Sequence, residues 1–399
     1  MIPIAKTFLD KREIEAVAKV LSSGWITQGP RVKEFEDAIA SYVGARYACS
    51  VSSCTTALHL ALLCVGVRPG DIVVTVSHSF IATANSIRHC GAEPLFVDID
   101  LETYNMSAGN LEKTLKEDCE AKDGGLFYKN ASGKRGQGRI AAIMPVHQMG
   151  TPCDLKAILS ISRRFGLPVV EDAACAIGSE ITIDNGTTWD KIGRPHGDIA
   201  CFSFHPRKLL TTGEGGMVTT NNDEFDKRLR LLKQHGMSIS DRIRHDLKKV
   251  VFEEYLVTGY NYRMSDIHAA VGLEQLKKMP GMFEERRGIA KIYQEGLKDI
   301  EWLKSPLEPL YCRTNWQSYP VRVLEEAPVK RDLLMQSLLD KGIATRRGIM
   351  NAHQEKAYAL PGKALKNSET ARDSVILLPL FCGMKKREIK KVICEIKDA

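Results

Sequence analysis

Seven short apolar runs punctuate the first two-thirds of the chain: Tyr47–Val51, Ile72–Val76, Pro94–Val97, Ile140–Val146, Val169–Glu171, Ala200–Phe204 and Gly216–Thr220. Helical patterns stand between them at Thr55–Cys64, Ser79–His89, Leu155–Phe165 and Asp223–His235. Leu155, Ile158 and Leu159 form the i, i+3, i+4 stripe of a helix lying on a sheet. The apolar runs are near-continuous rather than alternating, as in strands covered by helices on both faces. This order predicts an α/β fold with a mostly parallel central sheet.

After about residue 250 the order changes. Helices are expected at Ser265–Lys278 and Glu284–Leu297, separated at Pro280-Gly281. A strand (Ser318–Val323), a helix (Val329–Lys341), a short strand (Val375–Leu378) and a final amphipathic helix follow. With 399 residues, two domains are expected: a large α/β domain over 13–250 and a smaller α+β domain over 251–399, with residues 1–12 packing near it. The polar stretches Glu117–Arg139 and Ile183–Pro195 read as exposed loops.

Composition narrows the function classes. Hydrophobic content of 44% and charged content of 26% exclude a disordered or membrane-embedded chain, and no membrane span is visible. The opening Met1-Ile2-Pro3-Ile4-Ala5-Lys6 lacks the layout of a secretory signal, so a cytoplasmic location is expected. The eleven cysteines contain no CxxC and no zinc-ligand spacing, which fits reduced thiols and no metal, and leaves the Asn130-Ala131-Ser132 sequon without a role. A net charge of +7 suits anionic small molecules. Lys385–Lys391 reads as a solvated helix face, and nucleic-acid motifs are absent. Arg242, Arg244, Lys248 and Lys249 form a basic cluster open to polyanion contact.

Ligands of open α/β sheets bind beyond the carboxyl ends of the strands, and three segments there carry reactive groups. Ser52-Ser53-Cys54-Thr55-Thr56 joins a strand to a helix through small hydroxyl residues, which serve either as a phosphate cradle or as ordinary helix caps. Glu171-Asp172 ends a buried run, where a carboxylate caps the next helix or meets a cation. Lys208 follows a strand and precedes the turn Gly213-Glu214-Gly215-Gly216; it is either a solvated lysine or one whose pKa desolvation lowers, making the neutral amine a nucleophile. Together, a phosphate cradle, a strand-end acid and a Schiff-base lysine are what pyridoxal phosphate requires.

At these residues the chain resembles the DegT/DnrJ/EryC1/StrS family of nucleotide-sugar aminotransferases, which have the fold-type-I, aspartate aminotransferase-like fold. The likeness runs through Ser23-Gly24-Trp25-Ile26-Thr27-Gln28-Gly29-Pro30, Phe35-Glu36, Ala57–Leu62, Pro69-Gly70-Asp71, Ala82-Thr83-Ala84-Asn85 and Val97–Asp100. It continues in Pro145-Val146-His147, Glu171–Ala174, Ser203-Phe204, Gly213–Gly216 and Gly259–Met264. The resemblance implies a pyridoxal phosphate enzyme in which Lys208 bonds the cofactor and shuttles the proton. It implies that Asp172 partners the pyridinium, that Phe80 and Ala174 flank the ring, and that the amides of Cys54 and Thr55 with the Ser203 hydroxyl hold the phosphate. Asn261 would reach the phosphate from the neighbouring subunit, implying a homodimer with shared active sites. Arg263, His353, Trp25, Thr27 and His147 are the substrate-side candidates; for Arg263 a structural salt bridge is the alternative.

Three departures stand out. The family usually has glycine at Cys54, and glutamine or histidine at Cys175 to hydrogen-bond the cofactor's phenolic oxygen, for which a thiol is a poor donor. The Glu117–Arg139 stretch is longer than expected. A histidine in place of Lys208 would mark the deoxygenating branch of the family; the lysine argues for transamination, from glutamate to the keto group of a nucleotide-linked deoxysugar. A pyridoxal phosphate dehydratase or eliminase and a non-catalytic sensor on the same fold are the rival readings.

Overall fold

The computed structural model describes residues 1–129, 138–239, 252–358 and 364–399. The Asn130 sequon and the Arg242–Lys249 basic cluster lie outside the described residues. The chain opens with α1 (Lys11–Ser23), started by a capping box between Asp10 and Glu13, and α2 (Pro30–Val43), with proline in its first turn.

Strands and helices then alternate: β1 (Tyr47–Val51), α3 (Cys54–Cys64), β2 (Ile72–Val76), α4 (Ala82–His89), β3 (Glu93–Val97) and α5 (Ala108–Glu117). A hairpin, β4 (Cys119–Lys122) and β5 (Gly125–Tyr128), precedes β6 (Ile140–Met144), α6 (Leu155–Phe165) and β7 (Val170–Asp172). The two-residue strands β8 (Glu180–Ile181) and β9 (Asp190–Lys191) lead to β10 (Ile199–Ser203), β11 (Gly216–Thr220) and α7 (Asp223–Leu232). One sheet has the order β1-β11-β10-β7 and another β3-β2-β6. Parallel bridges at Ile143–Val169 and Val146–Asp172 join their facing edges. The β3·β2, β2·β6 and β7·β10 pairs are parallel, whereas β11 runs antiparallel to both neighbours. The carboxyl ends of β1, β2, β6, β7 and β10 therefore share one edge.

The expectation of an exposed loop over Glu117–Arg139 is corrected at β4 and β5. Asp123 and Gly124 both have positive φ, 50° and 74°, as a two-residue hairpin turn of the Asp-Gly kind requires. The sequence carried that turn signal, but β4 is polar and largely exposed, and the apolar run Leu126-Phe127-Tyr128 of β5 is only three residues long. The stretch Ile183–Pro195 likewise contains β9, paired antiparallel with β8.

A larger correction concerns Pro280. The expected two helices are one, α8 (Asp266–Leu297), 32 residues long with the proline inside it. An interior proline costs a helix about 3 kcal/mol. Buried side chains on both sides of it, Gln275 and Met279 before and Met282, Arg286 and Ile289 after, keep the backbone in register against that cost. β12 (Leu303–Lys304), β13 (Cys312–Arg313), β14 (Tyr319–Val323), α9 (Arg331–Asp340), β15 (Arg346–Arg347), α10 (Lys366–Ser374), β16 (Val375–Leu378) and α11 (Lys386–Lys397) complete the chain. A second sheet, β12-β14-β16-β15, receives the N-terminus through hydrogen bonds from Ile2 to Gly342 and from Leu380 to Ile4. No helix among the described residues is long and apolar enough to cross a membrane.

Glu36 of α2 is buried with its charge. Its carboxylate accepts from the Ser50 amide and hydroxyl (both 2.8 Å), Lys233 Nζ (2.9 Å) and Arg230 Nη1 (2.8 Å), tying α2 to β1 and α7. Burial acts against the charge, but Lys233 and Arg230 prevail and hold the carboxyl down at about 2.

Candidate active site

β7 sorts its two acids by face, since neighbouring strand residues point to opposite sides. Glu171 turns inward, accepting from the Gly197 amide at 3.0 Å and lying 3.1 Å from His147 Nε2. Asp172, also buried, accepts from the Thr83 hydroxyl at 2.8 Å and the Ala174 amide at 3.1 Å. Burial is the largest influence on Asp172 and raises its carboxyl above the usual aspartate range, against the pull of those two bonds and of Lys208 and His147. Each oxygen carries one donor and has room for another.

Lys208 lies beyond β10, and its Nζ sits 3.0 Å from Cys175 Sγ. Burial pushes the amine toward neutrality. Cys175, Cys54 and Asp172 outweigh it and hold the ammonium above the usual lysine value. Desolvation acts to lower this pKa, as one of the two sequence readings has it, but the sulfur and carboxylate near the amine act together in the opposite direction.

The β1–α3 turn approaches from the other side. Ser53 caps α3, accepting from the Thr56 amide at 3.2 Å, while the amides of Cys54 and Thr55 in the first turn have no intrahelical acceptor. Cys54 is absent from the positive-φ residues, so its backbone is one that any L-residue adopts in a helix. Its side chain is buried toward the Cys201 carbonyl, 3.7 Å away, and burial pushes the thiol far up. Gly216 is needed close by. A Cβ there would stand 2.4 Å from the Ser53 carbonyl oxygen, so only glycine lets β11 pass beneath the turn. Ser203, at the end of β10, is buried and accepts weakly from the His205 amide at 3.4 Å.

Phe80, a large apolar side chain, is left open at 66% exposure. Its loop is fixed beside Asp172, because Ser79 Oγ and Thr83 Oγ1 are 2.7 Å apart. Two residues that the sequence did not single out clamp the lysine and the thiol. Asn315 donates to the Cys175 carbonyl at 2.9 Å, and Gln317 Oε1 accepts from the Leu209 amide at 2.9 Å. Arg286 of α8 in turn holds the Trp316 and Gln317 carbonyls at 2.7–2.9 Å.

The substrate-side candidates divide. His147 is fully buried, with Nδ1 accepting from the Cys153 amide at 3.0 Å and Nε2 against Glu171, so its ring has no free nitrogen to offer a ligand. His353 is half-buried and similarly engaged, Nδ1 lying 2.6 Å from Ser77 Oγ at the end of β2 and Nε2 3.3 Å from Glu369. Trp25 donates to the Gln28 carbonyl at 3.2 Å, and Thr27 is exposed, its carbonyl accepting from the Asp266 amide at 2.9 Å. Arg263 is half-buried and makes no ion pair among the described residues. Asn261 is exposed, and the neighbouring Tyr262 carbonyl accepts from the Ser52 amide at 2.9 Å, so this segment borders the β1–α3 turn.

The profile of the DegT/DnrJ/EryC1/StrS aminotransferase family matches residues 7–397. The chain belongs to this family. It is 34% identical to an uncharacterized protein of Methanocaldococcus jannaschii, over 99% of this chain and 97% of that one. Among solved structures, the aminotransferase TlmJ from Streptoalloteichus hindustanus is 32% identical with a TM-score of 0.85, over 100% of this chain and 98% of that one. Helicobacter pylori PseC, an aminotransferase involved in the biosynthesis of pseudoaminic acid, is 26% identical with a TM-score of 0.85 and the same coverage.

Aminotransferases of this family depend on pyridoxal phosphate, and the residues described fit that group. The uncovered Phe80 ring offers a stacking face. The α3 amides offer donors for a phosphate. Asp172, held high by burial, gains from a cation placed against it.

Proposed function

We propose that the protein moves an amino group from glutamate to the keto group of a nucleotide-linked deoxysugar, as a pyridoxal phosphate-dependent aminotransferase working as a homodimer with shared active sites. The observation that carries this reading is the convergence of Lys208, Asp172, Phe80 and the start of α3 on one sheet edge. When bound, pyridoxal phosphate supplies an electron sink and a carrier for the amino group. Asp172 would hold positive charge at the ring nitrogen, while Phe80 and Ala174 confine the ring between them. The α3 amides and Ser203 would hold the phosphate, with Asn261 contributed by the partner. Lys208 Nζ takes a proton from the substrate carbon and returns it, which requires the ammonium to lose its proton first. Cys175 is its neighbour for that exchange. Arg263, with no carboxylate of its own among the described residues, is the proposed contact for a diphosphate, with Trp25 and Thr27 nearby in the reading of the substrate side.

The test is spectroscopic. The purified protein should show a yellow absorbance band that bleaches on adding glutamate, and borohydride fixation should place the adduct on Lys208. Consumption of glutamate in step with a nucleotide-linked ketosugar then separates transamination from dehydration or elimination. A protein that takes up no pyridoxal phosphate, or an adduct on another lysine, would overturn the reading.

A further inference from the structure

Ten of the eleven cysteines are buried among apolar groups or lie away from the site; Cys175 differs in being half-buried with a lysine amine at its sulfur. Reactive thiols occupy such partly open, electropositive surroundings, whereas thiols sealed in apolar cores are inert. Cys54 and Cys201, close behind it, are both sealed, and burial pushes both thiols far up. The pair is also held firmly. Asn315 grips the Cys175 carbonyl, the Lys208 amide donates to the His205 carbonyl at 2.8 Å, and Gln317 grips the adjoining Leu209 amide. Neither backbone is free to swing the sulfur away from the nitrogen, so any electrophilic state of the sulfur forms within reach of Nζ.

We propose that Cys175 and Lys208 form a modification site: under peroxide they join through a nitrogen–sulfur bond that withdraws the lysine amine from use. In the first step the Cys175 sulfur attacks one oxygen of hydrogen peroxide. An S–O bond forms, the O–O bond breaks, and the thiol becomes a sulfenic acid with release of water. In the second, Nζ of Lys208 attacks that sulfur. An N–S bond forms, the S–O bond breaks, one ammonium proton leaves with the hydroxyl as water and a second passes to solvent. The sulfur is oxidised by two electrons and the peroxide reduced by two, so one equivalent of peroxide suffices. Because the ammonium must give up its proton, the second step quickens as pH rises. A thiol can cleave the bond, returning the amine and leaving Cys175 in a mixed disulfide that further thiol reduces.

The bond itself depends only on the geometry of the pair; its effect on catalysis rests on the aminotransferase reading. Full-length protein as purified is treated with hydrogen peroxide, with and without prior saturation with pyridoxal phosphate, then digested and mapped by mass spectrometry. The expected product is a Cys175–Lys208 cross-linked peptide lighter by two hydrogens than its reduced parts. It should be absent in Cys175→Ser and Lys208→Arg, retained in Cys54→Ser and reversed by dithiothreitol. Suppression by pyridoxal phosphate supports both readings. A cross-link that forms equally in saturated protein upholds the bond and counts against Lys208 as the cofactor lysine. Over-oxidation of Cys175 to a sulfinic acid, or a Cys54–Cys175 disulfide, with no linkage to Lys208 would overturn the proposal.

Discussion

Lys208 and Lys233 are both drawn in from solvent, but their surroundings differ in kind. Lys233, 1% exposed, donates to Glu36 at 2.9 Å and to the Ser50 carbonyl at 3.0 Å, and its charge is matched by a carboxylate in direct contact. Lys208 has a sulfur as its nearest partner, and Asp172 acts on it from beyond hydrogen-bond contact. A lysine neutralised by a fixed carboxylate holds elements together; a lysine faced by a soft, weakly bonding group keeps its nitrogen available. The difference separates the part of the molecule that maintains the fold from the part proposed to perform the chemistry.

The largest effect expected is on activity at the first lysine. Lys208→Ala should lower transamination by at least about 10⁴-fold, as expected when one group supplies both the nucleophile and the proton transfer. Its urea midpoint should shift by less than the equivalent of about 0.5 kcal/mol. Lys233→Met should do the opposite, costing about 3 kcal/mol because the buried Glu36 loses one of its two cations and keeps only Arg230, with kcat per folded molecule little changed. If the stability loss fell on Lys208 and the activity loss on Lys233, the comparison would collapse.

Acid titration sharpens it further. Glu36 is held at about 2 in the folded chain against an ordinary 4.5. Its contribution, about 3 kcal/mol by linkage, is complete above pH 4.5 and is lost as pH falls toward 2. Glu36→Gln should therefore flatten the stability profile in that window, read by denaturant midpoints at successive pH values. The smallest effect belongs to Phe80→Ala. It should weaken pyridoxal phosphate retention by about 0.5–1.5 kcal/mol, measured by dialysis against cofactor-free buffer. Stability should be unchanged, because a ring that is 66% exposed packs against little.

The same contrast explains what was legible in the sequence. β1, β2 and β11 stand at Tyr47–Val51, Ile72–Val76 and Gly216–Thr220, where the apolar runs predicted them, because strands covered on both faces leave dense local signals. The break expected at Pro280-Gly281 failed because distant side chains, not local propensity, hold α8 together there. Lys208, Asp172 and the β1–α3 turn were readable from their place at strand ends. Asn315 and Gln317 were not, since they reach Cys175 and Leu209 across 140 and 108 residues of chain and carry no motif of their own. Thr83 lies within the Ala82–Asn85 stretch that carries the family resemblance, yet nothing local announced that its hydroxyl would meet Asp172.

The unbroken course of α8 has a mechanical consequence. At 1.5 Å per residue it spans about 48 Å. Asp266 at its start fastens the Gly29, Arg31 and Val32 amides, and Arg286, some twenty positions on, grips the backbone carbonyls of Trp316 and Gln317, the latter residue's side chain accepting from the Leu209 amide. A continuous helix anchored at the mouth of α2 and again behind the lysine couples those two regions mechanically. The Trp25–Gln28 segment and the Lys208 backbone thus share one support, and the proline, which lies between the two anchors, is its weakest point.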